Sequence, residues 1–307
     1  MKLDTVSLFC GAGGLDLGFK EAGFNLVWSN DFDKYAVQTY RENLGNHVVY
    51  GDLNEIDPND IPLTDVLIGG FPCQPFSMMG SELGFKDTRG TLFFRITEII
   101  RNQQMRGNTP QVLVLENVRR LLTHDKGATF KTIIHELKEL GYENINYQVL
   151  NTADYGLPQT RNRLFLVCFR NPDVVFNFPK KEELELTLQD LLEDGVDDKY
   201  FLSDRILPTI LANGSGNYYS KSEIDLKVAR PLCATMHKMH RACQDNYVTD
   251  GGRIRRLTPR EAARLQGFPN DFVIPVSDTQ AYRQFGNAVS VPVARKIAEA
   301  VLEAISE

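Results

Sequence analysis

Short apolar runs that alternate with helix-like segments constrain this chain more than any other feature. Val6-Ser7-Leu8-Phe9, Leu26-Val27-Trp28-Ser29, Val48-Val49-Tyr50, Asp65-Val66-Leu67-Ile68 and Val112-Leu113-Val114-Leu115 have the length and residue types of strands. Between them lie helical patterns: Leu15 through Phe19 to Ala22, Lys34 to Asn43, and Leu92 to Arg101, with Phe130 to Leu140 following. Parallel strands need crossovers of a dozen or more residues, and this spacing supplies them. The uninterrupted Val112–Leu115 run is typical of a strand covered on both faces. The expected fold class is therefore α/β, with a doubly wound, mostly parallel sheet. Strands over Ile145–Leu150 and Leu164–Phe169 extend it, and the rhythm stops near Asn171.

Open α/β sheets bind ligands beyond the carboxyl ends of their strands, so the residues there are the candidate site. After the first run comes Cys10-Gly11-Ala12-Gly13-Gly14, a strand–glycine turn–helix context in which backbone N–H groups approach a ligand closely. The spacing is not GxGxxG, and no Lys-Ser/Thr follows, so a nucleoside-like ligand without pyrophosphate fits better than NAD or ATP. Asp31 ends the second run about 20 residues after the glycine loop, where an acid can hold ribose hydroxyls. Asp31 and Asp33 also suit the amino end of the next helix. Asp52 is a third strand-end acid.

The fourth run leads into Gly69-Gly70-Phe71-Pro72-Cys73-Gln74-Pro75-Phe76-Ser77. Most free cysteines are small buried hydrophobes, but Pro72 and Pro75 stiffen this loop, which suits a sulfur that must be aimed. Met78 to Gly90 is polar with three glycines, the composition of a lid. Glu116-Asn117 ends the fifth run, and a buried Glu116 needs a partner or a raised pKa.

The chain of 307 residues carries a net charge of −6, which by itself argues weakly against nucleic acid. The distribution argues the other way. Lys227 to Arg264 holds nine Lys/Arg against Asp245, Asp250 and Glu261, a stripe compatible with a phosphate-binding face. No apolar run approaches the roughly 20 residues of a membrane span, and the amino terminus has no signal-peptide pattern. Five cysteines without CxxC spacing point to a reduced, cytoplasmic protein. His237 and His240 lack neighbouring ligands at metal spacing, so no metal is expected. Thr258-Pro259-Arg260-Glu261 reads as a capping box opening a helix that stops at Gly267. Gln284-Phe285-Gly286-Asn287 then introduces a terminal helix over Ala288–Ile305.

Taken in order, Leu8 to Gly14, Gly70 to Ser77, Glu116-Asn117-Val118, Gln159-Thr160-Arg161-Asn162-Arg163, Arg260 to Pro269 and Gln284 to Ala288 resemble the motifs of the DNA cytosine-5-methyltransferases. The resemblance covers nearly all of the chain outside 172–251. It implies the S-adenosylmethionine-dependent methyltransferase fold with a smaller, irregular target-recognition domain. It divides the chain into 1–171 (catalytic and cofactor-binding), 172–251 (target recognition) and 252–307 (a return segment whose terminal helix completes the first domain).

The resemblance implies S-adenosylmethionine as methyl donor and no metal. The implied cofactor contacts are Phe9, Gly11, Ala12, Gly13, Gly14, Asp31, Phe32, Asp52, Leu53, Pro72 and Asn287. Asp31 matches the ribose acid, Phe32 the aromatic that packs on adenine, and Asp52 the acid at the adenine amino group. Cys10, Phe32 and Ala288 depart from the residues usual there.

By the same resemblance the catalytic residues are Cys73, Glu116, Arg161 and Arg163. Cytosine C5 is a poor nucleophile, so a thiolate must first add at C6. Protonation at N3 by Glu116 relieves the resulting electron density, and Arg163 contacts O2 and orients the carboxylate. The base must leave the stack to reach Cys73. Residues 78–90 would close over it, with Ser77 and Arg89 against DNA. Sequence is expected to be read by Lys227, Arg230, His237, Lys238, His240, Arg241 and Gln244, with Arg253, Arg255 and Arg256 on phosphates.

The implied partner is double-stranded DNA, with a cognate restriction endonuclease on the same site as a candidate companion. The expected protein is a cytoplasmic, nucleoid-associated monomer. Among other readings, a tRNA cytosine-5 methyltransferase usually carries Cys-Phe-Thr in its variable region, and 172–251 contains none. A non-catalytic DNA-binding relative is opposed by intact Cys73, Glu116 and Arg163.

Overall fold

The strand-like runs pair into one seven-stranded sheet: β1 (Asp4–Leu8), β2 (Asn25–Asp31), β3 (Val48–Tyr50), β4 (Val66–Gly70), β5 (Val112–Val118), β6 (Asn144–Asn151) and β7 (Asn162–Phe169). Their order is β3-β2-β1-β4-β5-β7-β6. β1 to β5 run parallel, and β7 lies antiparallel to β5 with Glu116 opposite Phe165. The computed structural model describes residues 2–71, 92–212, 214–215, 218–219, 223–238 and 240–306. These fall into two compact units, one of Met1–Leu150, Asn162–Pro179 and Ala294–Glu307, the other of Asn151–Arg161 and Lys180–Val293.

In the first unit the helices are α1 (Gly14–Ala22), α2 (Lys34–Asn43), α3 (Leu92–Met105), α4 (Ala128–Glu139) and most of α8 (Val291–Ser306). α3 forms because Phe93, Ile96, Ile99, Ile100 and Gln103 fall on one face, and all are buried. That face packs with Ile133 and Leu137 of α4 against Val6, Leu8, Leu67, Leu113 and Leu115 of the sheet. The chain order reverses between β1 and β4, so their carboxyl ends flank the crevice where such sheets bind ligands. β4 ends in the two glycines that follow the apolar run, Gly69 and Gly70. A Cβ on Gly69 would stand 2.8 Å from the Leu8 carbonyl oxygen, so the close pairing with β1 demands glycine.

The second unit is built from short pieces: α5 (Leu207–Leu211), the ladders β8 (Gly214–Ser215) and β9 (Tyr218–Tyr219), the hairpin β10 (Tyr247–Asp250) with β11 (Arg253–Arg256), α6 (Pro259–Leu265) and α7 (Asp278–Asn287). Gly251 and Gly252 both have positive φ (56° and 79°), which the two-residue turn between Asp250 and Arg253 requires. The hairpin spans the expected boundary at residue 251, and 252–293 belong to this unit rather than with the terminal helix.

The acidic stretch 182–194 forms only a 3-10 turn at Leu188–Leu191, with Leu188 buried. One local expectation changes. Gln284–Asn287 is the last turn of α7, and α8 starts at Val291 because Ala288 is extended (ψ 147°). The capping box on α6 forms as read: Glu261 N donates to Thr258 Oγ1 at 3.1 Å, and Thr258 N to Glu261 Oε2 at 2.8 Å.

Candidate active site

The glycine loop follows β1 and is held by Asp31. Phe9 has φ 57°, a left-handed conformation that costs a non-glycine residue about 1–3 kcal/mol and clusters at functional sites. Gly11 and Gly13 are left-handed as well, and a Cβ on Gly13 would lie 2.7 Å from Leu44 Cδ1. Asp31 Oδ2 accepts from Gly11 N and Oδ1 from Asp33 N, both at 2.8 Å, and burial pushes its carboxyl above the usual range. Asp33 caps α2 by accepting from Tyr35 N, as the helix-end reading of these acids expects. Phe32 beside them is 68% exposed, an unusual state for a phenyl ring and one that suits a planar ligand. Asp52 is exposed and accepts from Asn54 N at 2.9 Å, while Leu53 is buried.

Two buried supports of these strand-end loops escape sequence reasoning. Asp16, in the first turn of α1, is fully buried. Its carboxyl accepts from Ser7 (2.6 Å), Ser29 (2.9 Å) and Tyr40 (2.7 Å), tying β1, β2 and α2 beneath the glycines. Burial raises the Asp16 pKa and holds Tyr40 protonated as a donor. Arg95 of α3 is also buried and donates to the Leu53 carbonyl at 2.9 Å and to that of Ile56, fixing the loop after β3. A polar residue amid the apolar pattern of α1 or α3 is the only signal either leaves.

The neighbouring strand ends carry the second half of the site. Glu116 lies near the carboxyl end of β5, nearly buried, with Arg163 Nε 3.0 Å from Oε1. Oε2 lies beside Gly70 of β4, where a Cβ would stand 3.0 Å away, so glycine leaves the carboxyl its room. Asn117 Nδ2 donates to the Phe71 carbonyl at 2.8 Å and fastens the exit of β4. Phe71 itself is buried, its ring against Phe93. Pro72, Cys73, Ser77, Arg89 and the expected lid 78–90 lie outside the described residues.

In the second unit several expected surface residues prove to be internal. Arg161 is fully buried and donates to the carbonyls of Leu232, Gly286 and Ala288 at 2.9–3.0 Å. It ties its own segment to that of Leu232 and to that of Gly286 and Ala288 within the same unit. Gln159 assists, accepting from Leu232 N and donating to the Leu265 carbonyl. Arg255 is buried too. It pairs with Glu261 through both Nη atoms (2.8 and 2.9 Å) and with Asp250 through Nε (2.7 Å), so it is not a phosphate contact.

Arg256 is turned onto His240, whose Nε2 accepts at 2.6 Å. Burial and this neighbouring cation lower the His240 pKa to about 4. Arg230 pairs with Glu223, Arg241 with Asp245, and Arg253 with Asp198 while lying over the Phe201 ring. His237 donates to the Ala234 carbonyl. Lys227, Lys238, Gln244 and Asn287 are exposed.

A mostly parallel sheet with an antiparallel β7, a glycine loop after β1 and an acid ending β2 define the S-adenosylmethionine-dependent methyltransferase class. The solved structure of the Dnmt2 methyltransferase of S. pombe shares this fold, with a TM-score of 0.79 at 18% identity over 100% of both chains. Type II methyltransferase M.NlaX of Neisseria lactamica is 44% identical over 310 residues, covering 98% of this chain and 96% of its own. Type II methyltransferase M1.ScrFI of Lactococcus lactis subsp. cremoris is 42% identical over 327 residues, covering 100% of this chain and 79% of its own. Residues 3–303 match the C-5 cytosine-specific DNA methylases, and the chain belongs to that family. It is a DNA (cytosine-5-)-methyltransferase, and membership makes S-adenosylmethionine its methyl donor. Among the described residues no helix is long and apolar enough to cross a membrane.

Proposed function

We propose that this enzyme methylates a flipped-out cytosine in a specific short duplex sequence through a covalent Cys73–C6 adduct. The observation that carries the reading is the Glu116 carboxyl, steadied by Arg163 at 3.0 Å, with its other oxygen beside Gly70, three residues before Cys73 in the chain.

The residues at the glycine loop suit the cofactor. Gly11 and Gly13 leave the backbone approachable, Asp31 offers a buried carboxylate for the ribose, and Phe32 exposes a ring for adenine. Bound S-adenosylmethionine supplies an electrophilic methyl group. Leu53 adds an apolar contact, and Asp52 an acceptor for the amino group. Phe9, Ala12, Gly14, Pro72 and Asn287 complete the proposed set.

The Cys73 thiolate adds to C6 of the base, and the C5=C6 π pair moves toward C5 and the ring carbonyl. Glu116 shares its proton with N3, and Arg163 holds both the carboxyl and O2, so C5 gains enamine character. Once C5 carries the methyl group, loss of the C5 proton and elimination of the Cys73 thiolate restore the aromatic ring and the enzyme. Residues 172–251 together with the β10–β11 hairpin read the target, and exposed Lys227, Lys238 and Gln244 are the proposed base readers. The curated relatives' Type II names support a restriction–modification setting, with an endonuclease of the same specificity. The free thiols Cys10, Cys168, Cys233 and Cys243 support a reducing cytoplasm.

DNA containing 5-fluorocytosine tests the chemistry. With S-adenosylmethionine present it traps a stable protein–DNA adduct, and Cys73→Ala abolishes adduct and methylation while binding DNA. Methylation retained in that variant defeats the assignment. Sequencing methylated cytosines in DNA from an expressing host then reveals the recognised site.

A further inference from the structure

The segment that follows Glu116-Asn117 carries a second, unassigned feature of the same sheet edge. Val118 ends β5 opposite Arg163, and the chain turns through a 3-10 turn, Arg119–Leu122, anchored by buried Leu121. Asp125, Lys126 and Gly127 then take three successive left-handed conformations (φ 48°, 52° and 86°) before α4 begins at Ala128. Left-handed backbone costs an L-residue roughly 1–2 kcal/mol, and two adjacent non-glycine examples mark a turn whose shape is specified.

Charge is the reason to specify it. Arg119, Arg120 and Lys126 are exposed, and among the described residues their side chains make no ion pair or hydrogen bond. Asp125 is the one acid between Val118 and Lys131, in a protein of net charge −6. Four arginines of the second unit, Arg230, Arg241, Arg253 and Arg255, are by contrast each paired. α4 adds to the field, because its first turn holds no acid and its Gly127 cap supplies no side-chain acceptor.

We propose that Arg119, Arg120 and Lys126 form a phosphate-binding turn that grips the DNA backbone flanking the target cytosine. The location follows from the chain. A base that reaches Glu116 brings its own backbone to this edge, and Arg119 lies three residues beyond that carboxyl. The inference rests on duplex DNA being the substrate, and it adds a contact in the first unit to the basic stretch of the second. Phosphate contacts carry no sequence information, so the turn contributes equally to cognate and non-cognate sites.

The test is the salt dependence of duplex binding, read by fluorescence anisotropy with S-adenosylhomocysteine present. Each of Arg119→Gln, Arg120→Gln and Lys126→Gln lowers the slope of log K against log salt by about 1, and the triple variant by about 2–3. The loss is the same on cognate and scrambled duplexes, with cofactor affinity and thermal midpoint unchanged. If the triple variant misfolds, the single exposed substitutions carry the test. Slopes within about 0.5 of wild type overturn the inference, as does a loss confined to the cognate duplex. Wild-type methylation of duplex DNA is scored alongside. If it is present while all variants keep the wild-type slope, the turn alone is refuted; if it is absent, the substrate reading falls first.

Discussion

Two carboxylate–guanidinium pairs, one in each unit, have the same chemistry and opposite uses. Glu116–Arg163 stands among the strand ends of the sheet, with side chains 12% and 22% exposed and a 3.0 Å contact through Nε. Glu261–Arg255 is sealed at 0% and 1%, doubly bonded, and its carboxyl also accepts from Thr258 N and Glu193 N at 2.8 Å. A buried pair repays its desolvation only with such extra hydrogen bonds, and removing one partner leaves a charge stranded. The Glu116–Arg163 pair is less deeply sealed, which leaves it within reach of a base. The difference teaches that a fully sealed charged pair serves architecture, whereas a partly accessible one beside strand ends is suited to chemistry.

The sharpest way to break that comparison is Glu116→Gln. It keeps the shape but cannot give a proton, so the single-turnover methylation rate falls about 10²–10⁴-fold while the unfolding midpoint holds. An unchanged rate would remove Glu116 from the mechanism. Glu261→Gln has the mirrored outcome. Urea unfolding shows a loss of about 3–5 kcal/mol as Arg255 loses its partner, and the protein that remains folded keeps its cofactor affinity. A loss under about 1 kcal/mol would mean the pair is dispensable.

Asp31→Ala lies between these extremes, because Asp31 both bonds the loop and faces the ligand. Calorimetry should find S-adenosylmethionine binding weaker by about 1–3 kcal/mol. Equal affinity would reduce Asp31 to a helix-end acid.

The smallest effect concerns His240, whose pKa is lowered to about 4 by burial and by Arg256. The folded ring stays neutral while the unfolded one protonates near 6.5, so stability is present above about 6.5 and is lost as pH falls toward about 4. His240→Gln should flatten that acid limb in thermal scans taken across this range. An unaltered limb would show that the ring is not held neutral.

How much was legible depends on how local the cause is. The glycine loop, Asp31 and the α6 capping box were readable because each is decided within a few residues by backbone conformation and capping. Glu116 was readable as a carboxylate ending an apolar strand. Arg163 as its partner came from a motif, and the antiparallel β7 places that arginine beside the carboxyl. The burial of Arg161, two residues earlier, was not readable because its three carbonyl partners lie 71 to 127 residues away. Arg255 was misread because charge counting sees sign and not burial.

The sequence by itself determined the βα rhythm, the sheet class, the glycine turn, the strand-end acids and the family motifs, since periodicity and turn chemistry act over short stretches of chain. Only the tertiary structure decided which cations face solvent and which are spent inside. Arg255 and Glu261 vanish into a core, Asp16 gathers three hydroxyls from separate elements, and Arg119, Arg120 and Lys126 stay exposed without an ion pair among the described residues. Burial and pairing are sums over neighbours brought from distant sequence, and no local pattern encodes them.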